Sequence, residues 1–263
     1  MKIWYRANRQ AFREEKLNSY NFATDTNAPH ALKWTEDLVR KFWNYQSRFP
    51  ENYFTSQHGV QIALAVGRHL PSGAKVLDYA CGTGALTTCL LRSGFEVGSC
   101  DLSPDSVKLV QENNADHSKF MGAFTMDGLS SVKEKFDAVV LVELVEHVDD
   151  GILEHILNDV RNVLKSDGMV IITTPNNEDL ATETVYCPTC DHTFHRWQHV
   201  RSWSTESLRA YLMQNGFQSI SFQTTDFSRP TGTRGFGFFL RNAANFIRKK
   251  RHPHLIGCAK KSS

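Results

Sequence analysis

The chain has 263 residues, 41% hydrophobic and 22% charged, enough to bury a globular core, and its longest apolar runs, such as Ala138 to Val142, are too short to cross a membrane. The charged opening MKIWYRANRQAFREEK lacks a secretory apolar stretch and four of the six cysteines are scattered singly, which together predict a cytoplasmic protein in a reducing compartment. The formal charge of +2 conceals an acidic body, with 12 Lys/Arg against 23 acids over residues 51–226, and a stretch from Phe227 onward with nine basic residues and no acid, which suits either an anionic partner or a solvated tail.

An aromatic-rich helical region (Trp34, Phe42, Trp43, Tyr45) precedes a helix at HGVQIALAVGRHL, and residues 1–57 are predicted to cap the sheet of a main domain spanning 58–263. From Lys75 onward short apolar runs alternate with helical stretches. KVLDYAC (75–81) reads as a buried strand and Gly84 to Arg92 as a helix. EVGSCDL (96–102) is the next strand, and Ser103 caps a helix with Pro104 in its first turn. FDAVVLVE (136–143) has the continuous apolar character of a central parallel strand. Asp149 to Leu164 has helical spacing and leads through Asp167-Gly168 to the strand MVIITTP (169–175). A helix from Thr205 to Gln214 stops at Asn215-Gly216, and strands at 217–223 and 254–261 close the series. This order predicts an α/β fold with a doubly wound sheet. Residues 176–203 form a long connection rich in Cys, His and Trp, a composition that predicts function and not mere linkage.

Asp78-Tyr79-Ala80-Cys81-Gly82-Thr83-Gly84 lies where a strand turns into a helix. Small residues at 80, 82 and 84 admit a ligand to the backbone, and the helix start offers amide donors. Asp101, ending the second strand, is placed to accept from a ribose diol. The dinucleotide pattern G-x-G-x-x-G fails at Thr87, and an acid at position 78 suits a cationic ligand better than a pyrophosphate. The loop resembles motif I of the class I S-adenosylmethionine-dependent methyltransferases. The likeness spans roughly residues 55–261 and includes CDLSPDSV, FDAVV, LKSDGMVIITTPN and HLIGCAKK; Ala80 stands where that family usually has glycine. The resemblance implies a seven-stranded Rossmann-like sheet. It also implies that Asp78 and the backbone of Ala80, Gly82 and Gly84 hold the methionine part of S-adenosylmethionine, with Asp101 and Leu102 at the ribose, Met126 and Asp127 at the adenine, and Val142 nearby.

At the end of the strand FDAVVLVE comes Glu143-Leu144-Val145-Glu146-His147. If the chain coils there, Glu143, Glu146 and His147 share one face and need one more ligand to hold a divalent cation. E-x-x-E-H is similar to the metal site of ubiquinone-biosynthesis O-methyltransferases and of small-RNA 3′-terminal 2′-O-methyltransferases. The latter group implies His199, before Trp203-Ser204-Thr205, as fourth ligand, although Arg201-Ser202 departs from its Phe-Glu. Glu143, Glu146, His147 and His199 are thus the expected catalytic set, holding Mn²⁺, Fe²⁺, Zn²⁺ or Mg²⁺ or, without metal, using a histidine as general base.

Cys187-Pro188-Thr189-Cys190 has zinc-knuckle spacing, with His192, His195 and His199 following, so a structural zinc on Cys187, Cys190, His192 and His195 is a second expectation. A zinc that claimed His199 would take it from the E-x-x-E-H site. Phe236, Phe239, Leu240, Ala243 and Ile247 predict a basic helix over about 236–251, suited to a membrane surface, to RNA phosphates, or to packing on the sheet. The expected activity is methyl transfer from S-adenosylmethionine to a hydroxyl of a small molecule or glycan. The alternatives are RNA 3′-terminal 2′-O-methylation and a non-catalytic binding protein of the same fold.

Overall fold

The computed structural model describes residues 29–129, 131–133, 135–228 and 253–262. The N-terminal charged segment and the basic helix expected at 236–251 lie outside them. The elements in chain order begin with β1 (His30–Ala31), α1 (Glu36–Gln46), α2 (Phe54–Val66), β2 (Lys75–Tyr79), α3 (Ala85–Arg92), β3 (Glu96–Asp101) and α4 (Pro104–Asn114). They continue with β4 (Phe120–Thr125), α5 (Met126–Leu129), β5 (Phe136–Val142), α6 (Asp150–Val163) and β6 (Leu164–Pro175). Last come β7 (Thr184–Cys187), β8 (His192–His195), α7 (Thr205–Gln214), β9 (Phe217–Thr225) and β10 (His254–Lys261).

Seven strands form one sheet in the order β4-β3-β2-β5-β6-β10-β9, with β10 antiparallel to both neighbours and the β4-to-β6 portion parallel. Because side chains alternate along each strand, successive apolar residues feed opposite layers. Val76, Val140 and Ile171 pack with Ile62, Val66, Leu86 and Leu90 of α2 and α3 on one face. Leu77, Leu141 and Ile172 pack with Leu153, Leu157 and Val160 of α6 and Leu208 of α7 on the other. The doubly wound sheet predicted from the alternation of elements is therefore present, and no helix among the described residues is long and apolar enough to cross a membrane.

Two features differ from the sequence-based expectation. The strand at Phe120–Thr125 has no clear pattern, because it is an edge strand with every residue half-buried and Gly122 at φ +108°. The second helix starts at Phe54, so the boundary expected after residue 57 falls inside it; its buried face of Ile62, Ala63 and Val66 makes it part of the main core. Helix starts carry side-chain caps: Ser103, predicted from the sequence, accepts from Ser106 N–H, and the structure adds Asp149, which accepts from Ile152 N–H, and Ser204, which closes a capping box with Ser207.

The 176–203 connection is folded. Its hairpin β7–β8 takes β1 as a third strand, and its end is tied to the E-x-x-E-H segment by Trp203, whose buried Nε1 donates to the Val145 carbonyl at 3.1 Å. Trp203→Phe keeps an aromatic ring but removes part of the buried volume and the indole N–H, leaving that buried carbonyl without this donor. It is expected to lower unfolding free energy by about 1–3 kcal/mol, measured by chemical denaturation.

Candidate active site

The carboxyl ends of β2 to β6 converge on one edge, and every residue expected to bind the cofactor lies along it. After β2 the chain reverses through three left-handed residues, Ala80 (φ +60°), Gly82 (+51°) and Gly84 (+81°). Alanine is strained there, which accounts physically for the usual glycine at position 80. Asp101, ending β3, accepts from the Gly82 amide at 2.8 Å and from the Ser103 amide at 2.9 Å, fastening the loop to the second strand. Burial raises the pKa of its carboxyl, against the pull of these bonds. Asp78 is buried beneath the loop, with one oxygen 2.7 Å from the Thr87 hydroxyl, and burial pushes its pKa to about 7. Thr87, which breaks the dinucleotide pattern, thus braces the acid. Leu102 is exposed beside Asp101, Met126 and Asp127 open α5 at the end of β4, and Val142 ends β5.

A row of rings runs from this loop across the site. The Tyr53 ring covers Gly82, where a Cβ would meet it at 3.6 Å. Tyr53 and Trp43 lie 6.1 Å apart, Trp43 meets His147 edge-on at 5.0 Å, His147 meets His199 at 4.8 Å, and His199 stacks on His195 at 4.3 Å. Trp43 Nε1 also donates to Gln198 Oε1 at 3.0 Å, so α1 is tied directly to the site.

The E-x-x-E-H segment is a turn, not a helix: Glu143 takes φ +48° and His147 N–H donates to the Leu144 carbonyl. The turn directs both carboxyls onto the end of β6, where Thr173 donates to Glu143 Oε1 and Thr174 to Glu146 Oε2, each at 2.9 Å. Ligand atoms of Glu146, His147 and His199 all lie within 4.8 Å of one another. Glu143 stands outside that triplet, with Oε2 3.6 Å from His254 Nε2. Glu146 Oε1 is buried without a hydrogen-bond partner. Burial pushes the Glu143 pKa to about 8, and burial plus the Glu143 charge pushes Glu146 well above the carboxylate range. Burial and the neighbouring His199 hold His147 down to about 3, so its ring is neutral.

Glu178 is the site residue that no motif signalled. Its carboxylate lies 2.5 Å from His199 Nδ1 and 3.5 Å from His195 Nε2, and the three form a second convergent group. With His199 Nδ1 held by Glu178 and His147 Nδ1 3.5 Å from the Gln198 carbonyl, Nε2 of both rings remains for a ligand. Of the four residues expected to hold zinc, Cys187, Cys190 and His192 sit at the hairpin tip. His195 does not join them: it is buried against Glu178 and His199.

Residues 54–221 match the family described as "Methyltransferase domain". The chain belongs to the class I S-adenosylmethionine-dependent methyltransferases. This methyltransferase is 29% identical over 151 residues to the ubiquinone biosynthesis O-methyltransferase of Xanthomonas axonopodis, covering 55% of this chain and 60% of that one. It is 27% identical over 239 residues to the mitochondrial ubiquinone biosynthesis O-methyltransferase of Bos taurus, covering 82% of this chain and 62% of that one. The matches therefore span about three fifths of these curated relatives. In fold it resembles the 1,6-didemethyltoxoflavin-N1-methyltransferase of Burkholderia thailandensis, solved with 1,6-didemethyltoxoflavin and S-adenosylhomocysteine bound (TM-score 0.61, 16% identity, 90% of this chain and 95% of that one). An S-adenosylmethionine-dependent methyltransferase of Archaeoglobus fulgidus aligns with a TM-score of 0.54 at 18% identity, over 84% of this chain and 99% of that one.

The raised pKa of Glu143 in the methyltransferase has a stability consequence. Between the unfolded value near 4.5 and the folded value of about 8, the unfolded chain binds fewer protons, so the stability contributed by the protonated group is lost as pH rises through that window. Metal-free Glu143→Gln, which cannot ionise, is expected to gain melting temperature relative to the parent between about pH 4.5 and pH 8, read by thermal scans in chelator. A constant difference across the window would refute the protonated, buried Glu143.

Proposed function

We propose that this methyltransferase transfers the methyl group of S-adenosylmethionine to a hydroxyl oxygen of a small molecule, with a divalent cation held by Glu146, His147 and His199 beside Glu143. The convergence of those three ligand atoms in a residue group that also holds an orphaned Glu146 oxygen carries the reading. Buried acceptor atoms are satisfied almost without exception, and an unpaired carboxylate oxygen on a residue grouped with two imidazoles fits a cation. A ring held neutral to about pH 3 is a poor general base but a suitable neutral ligand.

S-adenosylmethionine supplies an electrophilic sulfonium methyl, and a divalent cation supplies the charge that acidifies a coordinated hydroxyl. The chain's own residues do the positioning. The small-residue backbone of the 80–84 turn, over the buried Asp78, faces the methionine end, Asp101 and Leu102 the ribose, Met126 and Asp127 the adenine, and Val142 the floor between cofactor and cation. Glu178 is a positioning residue that fixes the His199 tautomer. Trp43 and Tyr53 close the site from the cap and exclude water from the reacting oxygen. The named activity of the Xanthomonas and Bos relatives, O-methylation in ubiquinone biosynthesis, favours a small-molecule acceptor with neighbouring oxygens over a glycan.

The test is methyl transfer to vicinal dihydroxy aromatics, sugars and a short RNA, with chelator or added Mn²⁺. Glu146→Ala is expected to abolish turnover while S-adenosylmethionine still stabilises the protein thermally. Glu178→Gln is expected to weaken metal affinity about 10–100-fold, with activity restored by excess Mn²⁺. Unchanged rates in chelator and in Glu146→Ala would refute the metal, and methylation of RNA alone would replace the small-molecule acceptor.

A further inference from the structure

The small sheet β1-β8-β7 carries residues that the methyl-transfer site does not use. Its register sets His30, His192 and Cys187 side by side across three strands: His30 is the Cα partner of His192, and His192 that of Cys187. Directly opposed residues point to the same face of a sheet, so these three side chains share one surface. Cys190 lies in the turn between β7 and β8, three residues after Cys187. His195 is three residues beyond His192 on the same strand and so faces the other way, into the Glu178–His199 cluster.

We infer that His30, Cys187, Cys190 and His192 form a Cys₂His₂ zinc site at the hairpin tip, separate from the cluster at Glu146 and independent of the proposed reaction. The turn between the two cysteines is closed by the Asp191 amide, which donates to the Cys187 carbonyl at 3.0 Å. The His192 Nδ1 is engaged 2.5 Å from the Cys190 carbonyl, which orients the ring and leaves Nε2 for the metal. The His30 and His192 ring centres are 6.0 Å apart. No three of these ligand atoms converge in this structure, so closure requires side-chain rotation on a backbone already in register. Residues 1–28 contain neither Cys nor His, which leaves His30 as the first donor of the chain.

The site has a structural consequence. β1 is only two residues long, too short to hold its place by backbone pairing alone, yet the chain after it carries Trp34 onto Phe194 and Trp43 onto His147. A zinc bridging β1 and the hairpin would anchor the cap over the active site.

Cobalt substitution tests this, because thiolate-to-cobalt charge transfer arises only where cysteine binds metal and the Glu146 cluster contains none. The full chain loaded with one Co²⁺ in excess of that cluster is expected to show the near-ultraviolet thiolate band with tetrahedral visible absorption. Cys187→Ser and Cys190→Ser should lose the band, and His30→Ala and His192→Ala should weaken zinc affinity at least about tenfold. His195→Ala and Glu146→Ala should leave it unchanged. Absence of the band in the parent protein would overturn the site, and an unchanged affinity in His30→Ala, or loss of the band in His195→Ala, would overturn the ligand set. If a cysteine variant fails to fold, a mercurial thiol reagent added to the zinc-loaded parent decides the matter: release of about one zinc per chain supports the site and release of none overturns it.

Discussion

Two carboxyl groups buried at the ends of β5 and β6 set the terms for everything around them. An ionised carboxylate removed from water costs several kcal/mol unless it is paired, and among the described residues Glu143 and Glu146 each receive one threonine hydroxyl, with the neutral His254 ring 3.6 Å from Glu143. In the metal-free state the remaining cost is met by keeping a proton, which explains why Glu143 rises to about 8. Neighbouring imidazoles could have neutralised the acids by taking protons of their own, but His147 is itself too buried to be charged. An environment that raises acids and depresses bases together suits the divalent ion proposed above, which would relieve both at once.

The polypeptide spends backbone strain to make that arrangement. Glu143 in the left-handed region costs about 1–3 kcal/mol, a conformation that persists only where packing over-determines it. Here the determinants are visible: Glu143 N–H donates to the Thr173 carbonyl, Val200 N–H donates to the Glu146 carbonyl, and Trp203 holds the Val145 carbonyl. β5, β6 and the 176–203 segment therefore fix the turn jointly. The same segment presents Glu178 and His199, so the residues that define the turn also complete the cluster.

Much of this was legible in the sequence, for identifiable reasons. Strands β2, β3, β5 and β6 are buried on both faces and announce themselves as apolar runs, and the helix cap at Ser103 follows local hydrogen-bond rules. β4 was hidden because an edge strand is only half-buried. His199 was reached through a motif resemblance, and the structure brings it to Glu146 and His147. Glu178 was not, because nothing in a loop sequence reveals a carboxylate placed by the fold 2.5 Å from a histidine 21 positions away. The turn at Glu143 was likewise hidden: three- and four-residue spacings suggest a helix face, but tertiary bonds to β6 bend the segment otherwise. Tyr53 and Trp43 read as cap aromatics; that their rings extend the histidine row to the glycine loop depends on how α1 and α2 meet the sheet edge.

The sequence left one conflict, since a zinc on the CPTC segment and a cation on E-x-x-E-H both had a claim on the histidines after Cys190. Strand parity separates these histidines into two groups. In β8 the residues alternate between faces, so His192 falls with Cys187 and His30 on one side and His195 on the other, against Glu178. His199 follows past the left-handed Gln198, whose φ of +63° turns the chain so that the two rings stack at 4.3 Å. The hairpin and the segment after it thus divide their imidazoles by odd and even position, one to the tip and two to the edge that carries Glu146. A shift of one residue in the pairing of β7 with β8 would reverse the assignment and deprive both clusters at once, so the register of a four-residue ladder governs the chemistry on both faces.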